Sequence, residues 1–477
     1  MSFFTRDELR VVGGTSAAYA LRMLGLYMAL PVMSTWAAAL PGATPFLVGI
    51  AIGAYGLTQA IFQVPFGILG DLRGRRLVVI LSMLVFALGS TIVAGAGTIW
   101  VVILGRLVQG VGAMASTLIA LIGDATRDHV RTRAMALMGV IIGLAFAGGF
   151  LLGPIAAARS GVGSVFALAA VLSLAGMILF ELAVPNRLVP HFVRLKRRNV
   201  GAAAGGSVPA ARGQTPTWSW AEARSALRHP SVFVVDAGIF VLHAAVTGLF
   251  VVVPFLLQGL VRTLDLWRVY APVLLIGMVA MVIASRQADR PRRGRWILRG
   301  GGALVVLGLV ALAVYHRSAL AITLGLTLFV AGFASIEPVL ASLLTRFTGK
   351  GARGTAAGVF NMVQFTGAFL GGALAGLVLP LGHGAPLLLA AAFVLAWWCA
   401  IGIMRDPDDV MATILHVPRL DADNWPRVRR ALLAHPAVLE AEWTGGESPT
   451  VRHWADRASA GQLEGLAESA TDGGHAS

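Results

Sequence analysis

The sequence predicts an all-α membrane protein of twelve transmembrane helices in two six-helix halves, followed by a small α+β domain. Three observations carry this expectation. Of 477 residues, 57% are hydrophobic and 13% charged, against about 25% charged in soluble chains, and the mean hydropathy is +0.78. The apolar part divides into stretches near the ~20 residues that cross a ~30 Å hydrocarbon layer. Charge then divides the chain once more. From Arg405 onward seven Arg face twelve Asp and Glu, so the tail is near −5 and the rest near +20.

Taken in order, the predicted spans cover 13–37, 45–69, 77–96, 98–123, 134–157, 164–184, 231–257, 269–286, 297–315, 318–344, 355–380 and 385–404. No cleavable signal peptide is expected, because MSFFTRDELR mixes acids with bases and no small-residue cleavage site precedes the first span. With the N-terminus inside, the inner segments before the tail hold 25 Lys and Arg. The outer loops hold four: Arg159, Arg262, Arg268 and Arg317. Basic loops resist translocation, so an inner membrane with both termini in the cytoplasm is expected. The domains are then a six-helix half at 1–185, a linker at 186–230, a second half at 231–405 and a tail domain at 410–470. The linker carries GAAAGGSVPAARGQTPT and a short amphipathic piece at 218–227. Its basic run, Arg194, Lys196, Arg197 and Arg198, reads as a juxtamembrane loop rather than a nucleic-acid site. A shift of 219 positions lays Arg127 on Arg346 and Gly139, Gly148 and Gly153 on Gly358, Gly367 and Gly372. Two parallel six-helix repeats with a site between them near the midplane is a transporter architecture.

At this point several motifs share one resemblance. Gly67-Ile-Leu-Gly-Asp71-Leu-Arg73-Gly74-Arg75-Arg76 resembles the signature loop of the major facilitator superfamily, G-x-x-x-D-[RK]-x-G-R-[RK], with Leu72 in place of the usual base. Arg106, Gln109, Gly110 and Gly112 in span four resemble the family's second motif. Gly139, Gly148, Gly149, Gly153 and Pro154 in span five resemble the Gly-Pro motif of its proton-driven drug antiporters, without the Gly pair that usually follows. The runs at 21–33, 51–67 and 354–372 resemble the YajR-type branch. The resemblance implies a twelve-helix fold and proton-coupled efflux of small hydrophobic or drug-like compounds. It further implies that Asp71 meets the start of span eleven near Gly354, that Arg75 pairs with Asp124, and that Arg106 is tied to proton coupling.

The residues support a functional reading of their own. An Asp among the bases of a membrane-surface loop is not needed for topology, so Asp71 reads as a latch on a helix end or an Arg; Arg73, Arg75 and Arg76 serve topology as well. Arg106 lies about 12 Å into its span and should face the interior, with snorkelling to the outer surface as the alternative. Arg22 in span one, Asp236 and His243 in span seven and Glu337 in span ten are further ionisable groups at membrane depth, which are functional candidates by default. A carboxyl group in a low-dielectric cavity can exchange protons near neutral pH, and His243 titrates in that range. Asp236 and His243, two turns apart, share a helix face. The alternatives stay open: Asp236 reaching inner water, Arg22 in a structural ion pair, His243 bonded within the bundle. Glu337 precedes Pro338, a kink that loosens backbone hydrogen bonds beside the charge. Tyr27, Tyr55, Gln59, Gln63, Asn361 and Gln364 suit a mixed apolar and polar substrate cavity. Met and Phe in spans one, two and eleven read as packing.

No Cys/His spacing suits a metal, and neither Lys196 nor Lys350 sits in a phosphate loop, so no metal, cofactor or ATP-hydrolysing role is expected and a proton gradient is the natural drive. No nucleophile, base and orienter can be paired, which argues against an enzyme. The expected partners are the lipid bilayer, a small-molecule substrate and protons, with no nucleic acid. In the tail, 411–417 reads as a strand, 423–434 as a helix entered through an Asp cap, 438–443 and 450–454 as a hairpin around Gly445-Gly446, and 460–468 as a helix. This β-α-β-β-α order resembles the ferredoxin-like module that ends YajR-type transporters. About 60 residues are marginal alone, so the tail is expected to dock on the membrane part or self-associate. Two other functions remain: a proton-coupled carrier of a specific metabolite, and a transporter-derived sensor that signals through its tail.

Overall fold

The computed structural model describes residues 4–184, 230–288, 293–348, 353–404 and, in the tail, 410–472 apart from 419, 422, 436, 444–447 and 455–457. The linker expected at 186–230, except Pro230, lies outside the described residues, as do Lys350 and the Gly445-Gly446 turn. The chain opens with α1 (Arg6–Ala29), whose first turn is closed by a capping box: the Thr5 hydroxyl accepts from the Glu8 N–H and the Glu8 carboxylate accepts from the Thr5 N–H. Pro31 ends that helix, and the short α2 (Met33–Ala38) completes the first crossing. Next come α3 (Pro45–Arg73), capped by Thr44, and α4 (Arg75–Ala94), hinged at Gly74, whose φ of 100° suits glycine. The expected fourth span is two helices, α5 (Ile99–Val111) and α6 (Ala115–Ala125). The break falls where Gly112 presses on the Ser82 carbonyl of α4 and the Ser82 hydroxyl donates to Ala113 O.

Helix α7 (Asp128–Ala183) is two crossings joined at Gly161, which has φ 78°. Its 56 residues would run about 84 Å straight. Instead, Gly148, Gly149 and Gly153 of the first limb meet Leu24, Tyr27 and Met28, whereas Ala169, Gly176 and Ala183 of the second meet Gly25, Ala18 and Gly14. One limb therefore runs with α1 and the other against it. The later crossings are α8 (Pro230–Leu257), α9 (Trp267–Ala288) after a 3-10 turn at Thr263–Asp265, α10 (Arg293–Val314), α11 (Ala319–Phe347), α12 (Arg353–Val378) and α13 (Gly384–Ala400). Among the described residues ten helical spans, α5 and α6 counted as one, are long and apolar enough to cross a membrane. The two limbs of α7 and the charged α1 bring the described crossings to the expected twelve. The protein is a multi-pass membrane protein.

One face of the bundle carries Asp71, Asp124 and the start of the tail, and is the tail face; the turns after α2, α8 and α10 lie on the far face. Two seals join the first six crossings to the last six in the far half. Along α3 and α12, a Cβ at Gly53 or Gly56 would sit 2.7 Å from the Phe369 or Phe365 carbonyl, and Gly49 packs directly on Gly372 and Gly376. Backbones this close need glycine. The second seal is aromatic: Phe150 stands 5.0 Å from Phe250 and 5.5 Å from Tyr270 between ring centroids, backed by Phe146 and Tyr27.

The tail has β1 (Val410–Ile414), α14 (Trp425–Ala434), β2 (Val438–Glu442), β3 (Thr450–Trp454) and α15 (Ala460–Asp472). The sheet order is β1-β3-β2 with β3 antiparallel to both, the expected ferredoxin-like arrangement without its last strand among the described residues. Leu415, Val417, Val428, Leu432, Val451 and Leu463 form its core. The first strand ends at Ile414, short of the expected 417, with Pro418 unable to donate to a ladder. The entry to α14 differs too. Asn424, not an Asp, holds the cap position, and its side chain turns back to accept from Asp421 N–H. Asp421 in turn accepts from the Asp423 and Asn424 N–H groups, an Asx turn one step ahead of the expected cap.

Candidate functional site

The first six crossings hold two buried guanidiniums that behave differently. Arg106, 2% exposed, donates to Ala51 O, Ile52 O and the Gln109 side-chain oxygen at 3.4, 3.3 and 2.8 Å. Gln109 donates on to the Ser90 hydroxyl at 2.7 Å, and the Tyr55 ring lies 5.2 Å from the Arg106 guanidinium. Each bond stays among α3, α4 and α5. Gly110 lets α5 meet the Tyr55 carbonyl, and the Thr58 hydroxyl donates to Leu107 O beside it. Gly149 and Gly153 play the same part for α7 against Tyr27 and Met28, directly ahead of Pro154, which opens the α7 backbone. Arg22 is wholly buried, and none of its three nitrogens has a hydrogen-bond partner; it lies 4.8 Å over the Phe86 ring, facing α4.

On α3, Tyr55, Gln59 and Gln63 share one face at a spacing of four. Both Gln side chains are 1% exposed, and the Tyr55 hydroxyl, Gln59 Oε1 and both Gln63 amide atoms lack partners. The Tyr55 ring meets Phe365 of α12 edge-on at 6.4 Å. Tyr27 is half-buried against Phe146 and within electrostatic reach of Glu337 across the interface between halves.

The structure brings three candidates together on the last six crossings. Gln364 Nε2 of α12 lies 2.7 Å from His243 Nε2 of α8, and Glu337 Oε1 of α11 lies 3.8 Å from the same nitrogen. His243 Nδ1 is 3.2 Å from the Ile239 carbonyl, and the ring packs at 5.5 Å on Phe333. A carbonyl only accepts, so Nδ1 carries the proton, and Nε2 of the neutral ring accepts from the Gln364 amide. A second proton would make Nε2 a donor. Gln364 would then have to turn its oxygen to the ring or cede it to Glu337. Glu337 is ten residues from the tail-face end of α11, about 15 Å or mid-membrane, yet its side chain is 43% exposed. Asn361, one turn before Gln364, is half-buried. Asp236 stands apart, two turns tailward of His243. It is 4% exposed with Oδ1 unpartnered, so it is buried among helices rather than open to water.

At the tail face, Arg75 bonds Asp124 and stands 3.6 Å from Asp71. Arg76 pairs with Glu181 and donates to Val184 O at 2.8 Å, while Arg73 points to solvent and Gly67 faces Ser116 of α6. Asp71 meets Arg75 within its own half. Motif reading missed a further clasp: Glu8, 2% exposed, takes the Arg127 side chain at 2.9 Å and the Arg127 N–H at 3.1 Å. Burial alone would raise the Glu8 carboxyl, but the bonds from Arg127 and Thr5 outweigh it and hold the group down at about 2. The Thr5-x-x-Glu8 capping pattern was the available signal. Among the described residues no group of His, Cys, Asp or Glu could hold a metal.

Comparison with known proteins places this geometry. The Major Facilitator Superfamily model matches residues 15–372. The chain is 34% identical over 422 residues to the inner membrane transport protein YajR of Escherichia coli K12, covering 88% of each. A shorter likeness, 35% over 118 residues, joins 24% of the chain to 28% of the class E tetracycline resistance protein of Escherichia coli. Among solved structures, a D-xylose-proton symporter aligns over 84% of the chain and 98% of its own at a TM-score of 0.63 and 15% identity, a likeness of fold.

Proposed function

The chain belongs to the major facilitator superfamily, a transporter rather than an enzyme, and from that premise we propose that it exports small hydrophobic or drug-like compounds against inward proton flow. The observation that carries this reading is the meeting of His243, Gln364 and Glu337 at mid-membrane, on three helices of which α8 and α12 touch the other half. A proton arriving at His243 or Glu337 alters which partner Gln364 can satisfy, and Gln364 rides on α12, the helix that seals the far face. Protonation and the far seal therefore share one element. Residues 1–185 and 231–405 act as two units joined by the linker, and Tyr27, Tyr55 and Asn361 line the space between them. With both seals in the far half, this conformation accepts substrate from the tail face. The 25 basic residues of the tail-side segments against four on the far side support a cytoplasmic tail face, and likeness to an inner-membrane transporter supports that location. The partial likeness to tetracycline resistance proteins supports efflux.

The test is substrate-triggered proton movement in proteoliposomes loaded with a pH-sensitive dye, screened over tetracycline and a panel of dyes and metabolites. A compound that moves protons through the parent and binds Glu337→Gln without moving them supports the reading. Compounds that bind while no imposed gradient moves proton or solute through the parent count against it.

A further inference from the structure

Arginine is disfavoured on the far face by the same rule that orients the chain. Of the four there, Arg262 and Arg268 line one cavity of about 440 Å³, between the turn after α8 and the start of α11. Asp265 holds both: its carboxylate lies 2.7 Å from Arg262 Nη2 and 3.5 Å from Arg268 Nε. That arrangement occupies only part of each guanidinium fork. Among the described residues Arg262 Nη1 and both Nη groups of Arg268 have no partner, and the side chains are 80% and 68% exposed. With one carboxylate between two arginines, the cavity keeps a net positive charge. Leu260, Val261, Val269, Ala319, Leu320 and Thr323 supply the rest of its wall.

The surroundings are those of a membrane interface. Trp267 is 42% exposed, with the Arg268 guanidinium 5.7 Å from its ring, and Leu260, Leu264 and Leu320 stand 44%, 42% and 69% exposed beside it. Trp at this level marks the boundary between hydrocarbon and head groups. Topology gives no reason for arginines here, and Asp265 leaves most of their donors unused. We propose that this cavity binds the phosphate of an anionic phospholipid head group, with the glycerol part in the pocket and the acyl chains over Leu260, Leu264 and Leu320. Free inorganic phosphate shares the anionic chemistry, but the apolar rim favours the lipid. The site stands whether or not protons drive transport.

The test is native mass spectrometry of the full chain in detergent with phosphatidylglycerol or phosphatidylcholine of matched acyl chains. The expected result is that phosphatidylglycerol adducts on the parent exceed phosphatidylcholine adducts by about tenfold or more. The preference persists in Arg159→Gln, on the same face away from the cavity. It falls to parity in Arg262→Gln/Arg268→Gln, and also in Thr323→Phe, which fills the cavity and keeps every charge. Millimolar inorganic phosphate leaves the adducts in place. Equal binding of the two lipids by the parent, a preference that survives both the double variant and Thr323→Phe, or displacement by inorganic phosphate overturns the proposal.

Discussion

Arg106 and Arg22 are both guanidiniums buried at membrane depth, and their charge alone does not separate them. Arg106 is tied by three hydrogen bonds to α3 and α5; Arg22 has none. Removing a satisfied buried cation loses its bonds, whereas removing an unsatisfied one relieves a desolvated charge. Arg106→Gln should therefore lower thermal stability by about 1 to 3 kcal/mol, while Arg22→Gln leaves it unchanged or raises it; a detergent melting series checks both. Glu8 gives a pH dependence with a definite sign. Its carboxyl is held at about 2, below the ordinary 4.5, so its clasp contributes fully above about 4.5 and fades as pH falls towards 2. Glu8→Gln should cost about 1 to 2 kcal/mol at pH 7, allowing for the half-exposed Arg127, with the gap from the parent narrowing below pH 4.5. A pairing of Arg75 with Asp124 was available only through the family resemblance, since Asp124 lies in no motif of its own. His243–Gln364 was not legible at all: 121 residues separate the partners, and no local pattern marks either as belonging to the other.

At the level of elements, every predicted span has a helix, because apolar length is set by the bilayer and survives any detail of packing. The breaks were harder to read. Pro31 and Gly112 interrupt the first and fourth spans, and Gly112 owes its place to the Ser82 carbonyl of a neighbouring helix, a contact with no trace in its own segment. The glycines of α12 are visible in the sequence, but the helices they meet are not. That pairing makes a prediction. Gly53→Leu places a side chain against the Phe369 carbonyl and should cost about 1 to 3 kcal/mol in the far-closed state. The population shifts away from far-face closure, read as a longer distance between spin labels at the far ends of α3 and α12. An unchanged distance in a folded variant would remove the α3–α12 seal from the account.

For the whole molecule, charge and apolar length read from the chain gave two physically different parts, and the structure has a membrane bundle and a tail with its own core. Arg452 of β3 donates to Arg346 O at the tail-face end of α11 at 3.0 Å, a contact between the two parts. Because the tail core is separate, deleting 410–477 should leave a monodisperse helical bundle with transport within roughly twofold of the parent; loss of the folded bundle would show that the tail completes it. What sequence could not supply was the meeting of α8, α11 and α12 at mid-membrane, since three-dimensional pairing of distant spans is decided by packing across the bundle. The most direct measurement of the coupling claim is proton release on ligand binding, followed in weakly buffered detergent solution for the parent, Glu337→Gln and Gln364→Ala. The account predicts that a transported compound releases protons from the parent, none from Glu337→Gln at equal occupancy, and fewer from Gln364→Ala. Release from Glu337→Gln equal to the parent, or none from a parent shown to bind, would contradict it.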